Sequence, residues 1–157
     1  QSIKPNTKFN KAHLSWYKRD YRLKKEKGLV QNEEEAIYDE QHHLGGKPEN
    51  ILELYHAIDD ICMNMAPGEI SKQYLAKYVK YDYKNNIFCT LHVFKSKLRV
   101  WVKLKFNVLN NPPDYVRDVS KIGHWGSGDV EIIVENESVL EVTKTLIKKS
   151  FEENRSN

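Results

Sequence analysis

The sequence predicts an α+β two-layer domain. An antiparallel sheet of about four strands carries an N-terminal and a C-terminal helix on one face, behind a charged helical arm. Three observations predict it. Apolar residues recur at helical spacing from Ile51 to Met65 and again from Val139 to Phe151. Between these segments the period changes to two, as alternate residues of a strand face opposite sides of a sheet. The period-two runs are separated by short turn signals, Lys84-Asn85-Asn86 and Lys95-Ser96-Lys97, and short connections make neighbouring strands antiparallel.

Taken in order, residues 9–27 form the first predicted helix. Phe9, His13, Trp16, Tyr17 and Tyr21 fall at spacings of three and four, an aromatic stripe between lysines and arginines. Gly28 is its stop signal, and the acidic residues after it suit a short helix or a linker. Gly45-Gly46-Lys47-Pro48 marks the boundary between an arm, residues 1–43, and a domain, residues 44–157. Pro48 suits a first helical turn, where its missing N–H has no partner in any case. The helix after it places Ile51, Leu54, Tyr55, Ile58, Ile61, Cys62 and Met65 on one face, and Ala66-Pro67-Gly68 ends it. Tyr74 to Tyr83, Ile87 to Phe94 and Leu98 to Phe106 read as strands, the last with Leu98, Val100, Val102, Leu104 and Phe106 on one side. After Asn110-Asn111-Pro112-Pro113 a helical turn is expected at Asp114 to Val119. A glycine-rich loop, Gly123 to Gly128, precedes a fourth strand at Asp129 to Val134, and a final helix runs from Ser138 to Phe151.

Composition narrows the functional classes. The 157 residues are 39% apolar and 30% charged, which suits one core with an arm rather than a large multidomain enzyme. A membrane span needs roughly 20 consecutive apolar residues, and no run approaches that length. The first residues lack the apolar core of a secretory signal, and the absence of an initiator Met points to a processed chain or a fragment. Cys62 and Cys89 are far apart and form no CxxC, so they read as small buried hydrophobes in a reducing cytoplasm. No metal or cofactor motif is recognised. His42-His43 has no third ligand behind it, and adjacent side chains diverge.

The net charge is +3, but its distribution says more. The segment Lys8 to Lys27 holds eight basic residues against Asp20 and Glu26, and an acidic block follows. Lys18, Arg19, Arg22, Lys24 and Lys25 are candidate nucleic-acid contacts, against the plainer reading of a solvated charged helix. Tyr74, Tyr78, Tyr81 and Tyr83 alternate with lysines and either stack on bases or reflect the strand preference of Tyr.

The loop Gly123-His124-Trp125-Gly126-Ser127-Gly128-Asp129 is the best candidate site. Its glycines allow close backbone approach, so Gly123, His124, Trp125, Gly126 and Gly128, with Arg117, are candidates for holding an anion. His124, with Asp118 or Asp129 to orient it, is the candidate set for general-base chemistry. The alternative is structural: Trp125 closes the sheet edge, and Arg117 pairs with Asp118. Asp129 and Glu131 would share one sheet face, near Lys103 or Lys105, in a weak likeness of a nuclease metal site.

The run from Lys97 to Leu104, followed by Arg117-Asp118-Val119-Ser120-Lys121-Ile122-Gly123-His124-Trp125-Gly126-Ser127-Gly128-Asp129-Val130-Glu131, resembles a bacterial domain of unknown function. That domain forms the C-terminal part of proteins labelled "predicted transport protein" and is also joined to restriction-type and nuclease-like domains. The resemblance covers about Leu44 to Glu153. It implies a role in nucleic-acid metabolism or defence, brings no catalytic residues with it, and leaves residues 1–43 as the tail of an upstream region.

Three functional expectations follow. The first is a non-catalytic cytoplasmic recognition module that contacts nucleic acid through the basic arm and the Lys/Tyr strands. The second is a hydrolase or nuclease-related enzyme using His124 with Asp118 or Asp129. The third is a homodimerisation or protein-interaction domain whose aromatic arm helix covers a neighbour.

Overall fold

The computed structural model describes residues 37–123 and 126–155. The chain divides into two compact units, Gln1–His42 and His43–Asn157. The predicted helix at residues 9–27 lies outside the described residues.

Glu40–Leu44 forms a short helix, α1, and Glu49–Met63 forms α2. Pro48 caps α2 with extended backbone rather than sitting inside its first turn, and its carbonyl accepts from Ile51 and Leu52. Six strands follow: β1 Ile70–Tyr74, β2 Val79–Tyr83, β3 Asn86–Val93, β4 Leu98–Val102, β5 Val116–Asp118 and β6 Val130–Val134. Helix α3, Leu140–Asn154, closes the domain. The sheet is antiparallel, in the order β1-β2-β3-β4-β6-β5.

The expected four strands are therefore six, for two local reasons. The Tyr74 to Tyr83 run is the end of one strand, a turn and a second strand; Leu75 N donates to the Tyr78 carbonyl across that turn. The segment expected as a helical turn at Asp114 to Val119 holds β5, which pairs Val116 with Ile132. Val116 is buried there, so tertiary packing overrides a local turn preference. The Leu98 strand also stops at Val102, and Phe106–Val108 forms a single 3₁₀ turn.

Helices α2 and α3 pack on β3 and β4 and on each other. The core joins Ile51, Tyr55 and Ile58 of α2 and Ile147 and Phe151 of α3 to Val79, Leu91, Val100 and Ile132 of the sheet. A β-bulge fits the third strand to both helices. Tyr81 pairs with Cys89 while Asp82 pairs with Ile87, so Phe88 is the extra residue. Phe88 and Cys89 are consecutive yet both buried. The Phe88 ring meets the edge of Phe151 in α3 at 5.2 Å, and Cys89 meets Cys62 in α2. Burial, then this neighbour, pushes the Cys62 thiol well up, so it packs as an apolar group.

Polar bonds fix the same contacts. Ser150 Oγ donates to the Phe88 carbonyl at 2.6 Å and accepts from Lys103 N at 3.0 Å. Asp59 Oδ1 of α2 accepts from Tyr81 OH at 2.7 Å and from Lys72 Nζ at 2.8 Å. These contacts place the Lys72 and Tyr81 side chains on the helix side of the sheet.

Two stability outcomes follow. Ser150→Ala takes the hydroxyl from the buried Phe88 carbonyl and the part-buried Lys103 N–H and should cost about 1–3 kcal/mol in chemical denaturation; a change within error would show that the bridge adds nothing. Lys84 and Asn85 form the two-residue β2–β3 turn with φ of 51° and 70°. Lys84→Asn should stabilise by roughly 0.5–1 kcal/mol, because Asn tolerates this region better than Lys. A lowered melting temperature would contradict that.

Candidate functional site

Strand alternation sends a second set of side chains to the sheet face opposite the helices. Register aligns Gln73, Lys80, Thr90, Trp101, Glu131 and Arg117 as one row across all six strands. A parallel row places His92 opposite Arg99, and Arg99 opposite Ile133.

In the first row, between Trp101 and Arg117, the Glu131 carboxylate is 1% exposed. Trp101 Nε1 donates to its Oε1 at 3.0 Å. Arg117 Nε stands 2.9 Å from Oε2, and Arg99 Nη1 is 4.0 Å from Oε1. The Arg117 contact is a close ion pair whose N–H is not aimed along it, so Oε2 accepts no hydrogen bond. Arg99 Nε is also buried without an acceptor. Two guanidiniums around one carboxylate leave one positive charge in excess. With Phe94, Val119, Ile122 and Gly123 these groups line a pocket of about 100 Å³.

The glycine-rich loop packs on the same row. A Cβ on Gly126 would collide with the Trp101 ring and Thr90 Oγ1, and one on Gly128 would collide with the Val102 carbonyl. Gly128 also has a φ of +104°, which L side chains rarely adopt. Ser127 N donates to Thr90 Oγ1 at 3.0 Å, fixing the loop to β3. A Cβ on Gly123, which lines the pocket, would meet nothing within 4 Å.

The β3–β4 hairpin end is cationic. The His92 ring stacks on Phe94 with centroids 4.2 Å apart, and Arg99 lies over Phe94 at 5.4 Å. Burial, then the charges of His43, Lys47, Lys77 and Arg99, lower the His92 pKa to about 4. Its Nδ1 is buried without a hydrogen-bond partner.

The residues named from sequence are placed as follows. Arg117 pairs with Glu131 rather than Asp118. Asp118 is fully exposed, and hydrogen bonds from Ser120, the backbone N–H first, hold its carboxyl below the ordinary value. Asp129 lies 4.0 Å from Lys105. His43 is buried, with Nε2 2.7 Å from the Leu75 carbonyl. Among the described residues no group of three or more His, Cys, Asp or Glu stands together as a metal cage, and no helix is long and apolar enough to cross a membrane. His124 and Trp125, like Lys18, Arg19, Arg22, Lys24 and Lys25, lie outside the described residues. Sequence reading passed over Arg99, Trp101 and His92, although the alternation that placed Leu98, Val100 and Val102 inside also placed Arg99 and Trp101 on the other face.

Two outcomes test this geometry. Gly126→Ala should destabilise the domain by about 1–3 kcal/mol and change Trp101 fluorescence, because the methyl group overlaps the ring; an unchanged denaturation midpoint would contradict the packing. An unfolded His takes a proton near pH 6.5 and folded His92 only near pH 4, so between these values the unfolded chain binds more protons. Stability should fall as pH drops through this window, and His92→Gln should flatten part of that fall. An identical pH slope in the variant would contradict it.

Comparison with known proteins places these features in a family. Residues 40–154 match the family model described as a domain of unknown function, DUF5655. An uncharacterized protein of Haemophilus influenzae is 32% identical over 118 residues, which cover 74% of this chain and 38% of that protein. The chain thus matches well under half the length of that relative. No solved structure matches. Since the matched span contains all six strands together with α2 and α3, the chain belongs to the DUF5655 domain family.

Proposed function

We propose that this domain is a non-catalytic recognition module, cytoplasmic, that engages nucleic-acid phosphates through the cationic end of its sheet. The observation that carries this reading is the stacked His92–Phe94 pair with two cations over the Phe94 ring, Arg99 at 5.4 Å and Lys97 at 5.7 Å from its centroid. Such a cluster concentrates positive potential beside an aromatic platform, the combination that attracts phosphates and tolerates any base.

The site differs from the Lys/Tyr interleaving expected of the Tyr74 to Tyr83 run. Tyr81 is buried with its hydroxyl on Asp59, and Lys72 is paired to the same carboxylate. The burden of contact moves to the hairpin end. The basic residues Lys18, Arg19, Arg22, Lys24 and Lys25 would add phosphate contacts from the arm.

Fluorescence anisotropy with labelled single- and double-stranded DNA and RNA tests the reading. Binding should weaken with salt, and the Lys77→Ala/Arg99→Ala double variant should reduce the slope of log K against log salt by about 2. No binding even at low salt would overturn the proposal.

A further inference from the structure

The pocket beside the cationic end has a chemistry more specific than charge. Its floor is the buried Glu131 carboxylate, and its walls include Arg99 and Arg117, whose side chains are 35% and 42% exposed. Two polar atoms there are buried with hydrogen-bonding capacity unused: Arg99 Nε, a donor, and Glu131 Oε2, an acceptor. The 4.0 Å separation of Arg99 Nη1 from Glu131 Oε1 is too long for a direct hydrogen bond. It suits a bridging O–H that accepts from the guanidinium and donates to the carboxylate.

Size limits the guest. The pocket's 100 Å³ is far below the roughly 300–1,000 Å³ of sites that enclose a drug-sized ligand. One tetrahedral oxyanion fits that volume; a nucleobase with its sugar does not. The excess of one positive charge over Glu131 matches a monoanion.

We infer that the pocket between Arg99, Arg117 and Glu131 is a receptor for a phosphomonoester that retains one proton. The P–OH donates to Glu131, and the remaining phosphoryl oxygens accept from the two guanidiniums. Near pH 6 a phosphomonoester holds that proton about half the time. Sulfate has the same shape but no proton to offer, so the carboxylate repels it. The phosphate is supplied either by the terminus of a nucleic-acid strand or by a small free phosphate ester. The strand terminus rests on the nucleic-acid reading above; the pocket chemistry does not.

Isothermal titration of the intact chain near pH 6 with inorganic phosphate and with sulfate is the direct test. Phosphate should bind about ten- to a hundredfold more tightly, the worth of one hydrogen bond to a charged group. Glu131→Gln should bring the two affinities together, with thermal melting checking that the variant folds. Arg99→Gln, at a partly exposed site, should weaken phosphate binding whether or not the Glu131 variant folds. Equal phosphate and sulfate affinity in the unaltered chain would overturn the inference, as would selectivity unchanged in a folded Glu131→Gln.

Oligonucleotides of one sequence with a 5′-phosphate or a 5′-hydroxyl then separate the sources. Tighter binding of the phosphorylated strand, lost in Arg99→Gln, supports the strand terminus. Phosphate selectivity with equal binding of both strands supports a small free ester. Phosphate selectivity with no binding of either strand supports the pocket and rejects the nucleic-acid reading.

Discussion

The buried Glu131 carboxylate is the constraint on which the second face of the sheet depends. A carboxylate taken from water costs several kcal/mol unless charge and hydrogen bonds replace the solvent. Here Trp101 brings its indole N–H from β4 and Arg117 its guanidinium from β5. β5 is only three residues long and lies at the sheet edge, and the Arg117–Glu131 pair adds a side-chain tie to its backbone ladder with β6. The Trp101 ring, held by the same carboxylate, is the floor against which Gly126 rests. Loop, edge strand and pocket therefore share one buried charge.

The helix side of the domain supplies the rigidity this arrangement needs. The bulge at Phe88 turns two consecutive side chains toward the helices, one to Phe151 and one to Cys62. Ser150 and Asn154 then tie α3 to the Lys103 backbone just beyond β4. The strand that presents Trp101 and Arg99 on one face is thus anchored through the other. This division of labour explains how a face carrying Arg99, Arg117 and Glu131 stays in a folded protein: the apolar burial lies on the opposite side of the same strands.

Much of the fold was legible in the sequence, because α2 and α3 bury one face at helical spacing and β4 places Leu98, Val100 and Val102 on one side. What escaped was set by long-range pairing. β5 reads locally as a turn after two prolines and becomes a strand only beside β6. The Tyr74 to Tyr83 run holds no glycine, proline or asparagine to mark a turn, yet it bends back between Leu75 and Tyr78. The site was half legible for the same reason. Period two put Glu131 on one face and Arg99 with Trp101 on one face. Joining them needs the register between β4 and β6, across the 30 residues that separate Trp101 from Glu131. The glycine loop was visible as a motif, but its tight seat on Trp101 depends on that register as well.

The most direct test of the account is to map a bound oligonucleotide on the domain by ¹H–¹⁵N chemical shifts, including the arginine Nε–H and Trp101 indole signals. The largest changes should fall on His92, Arg99, Trp101 and Arg117, with α2 and α3 nearly silent. Changes concentrated on the outer surfaces of α2 and α3, with the Arg99, Arg117 and Trp101 signals unmoved, would contradict it.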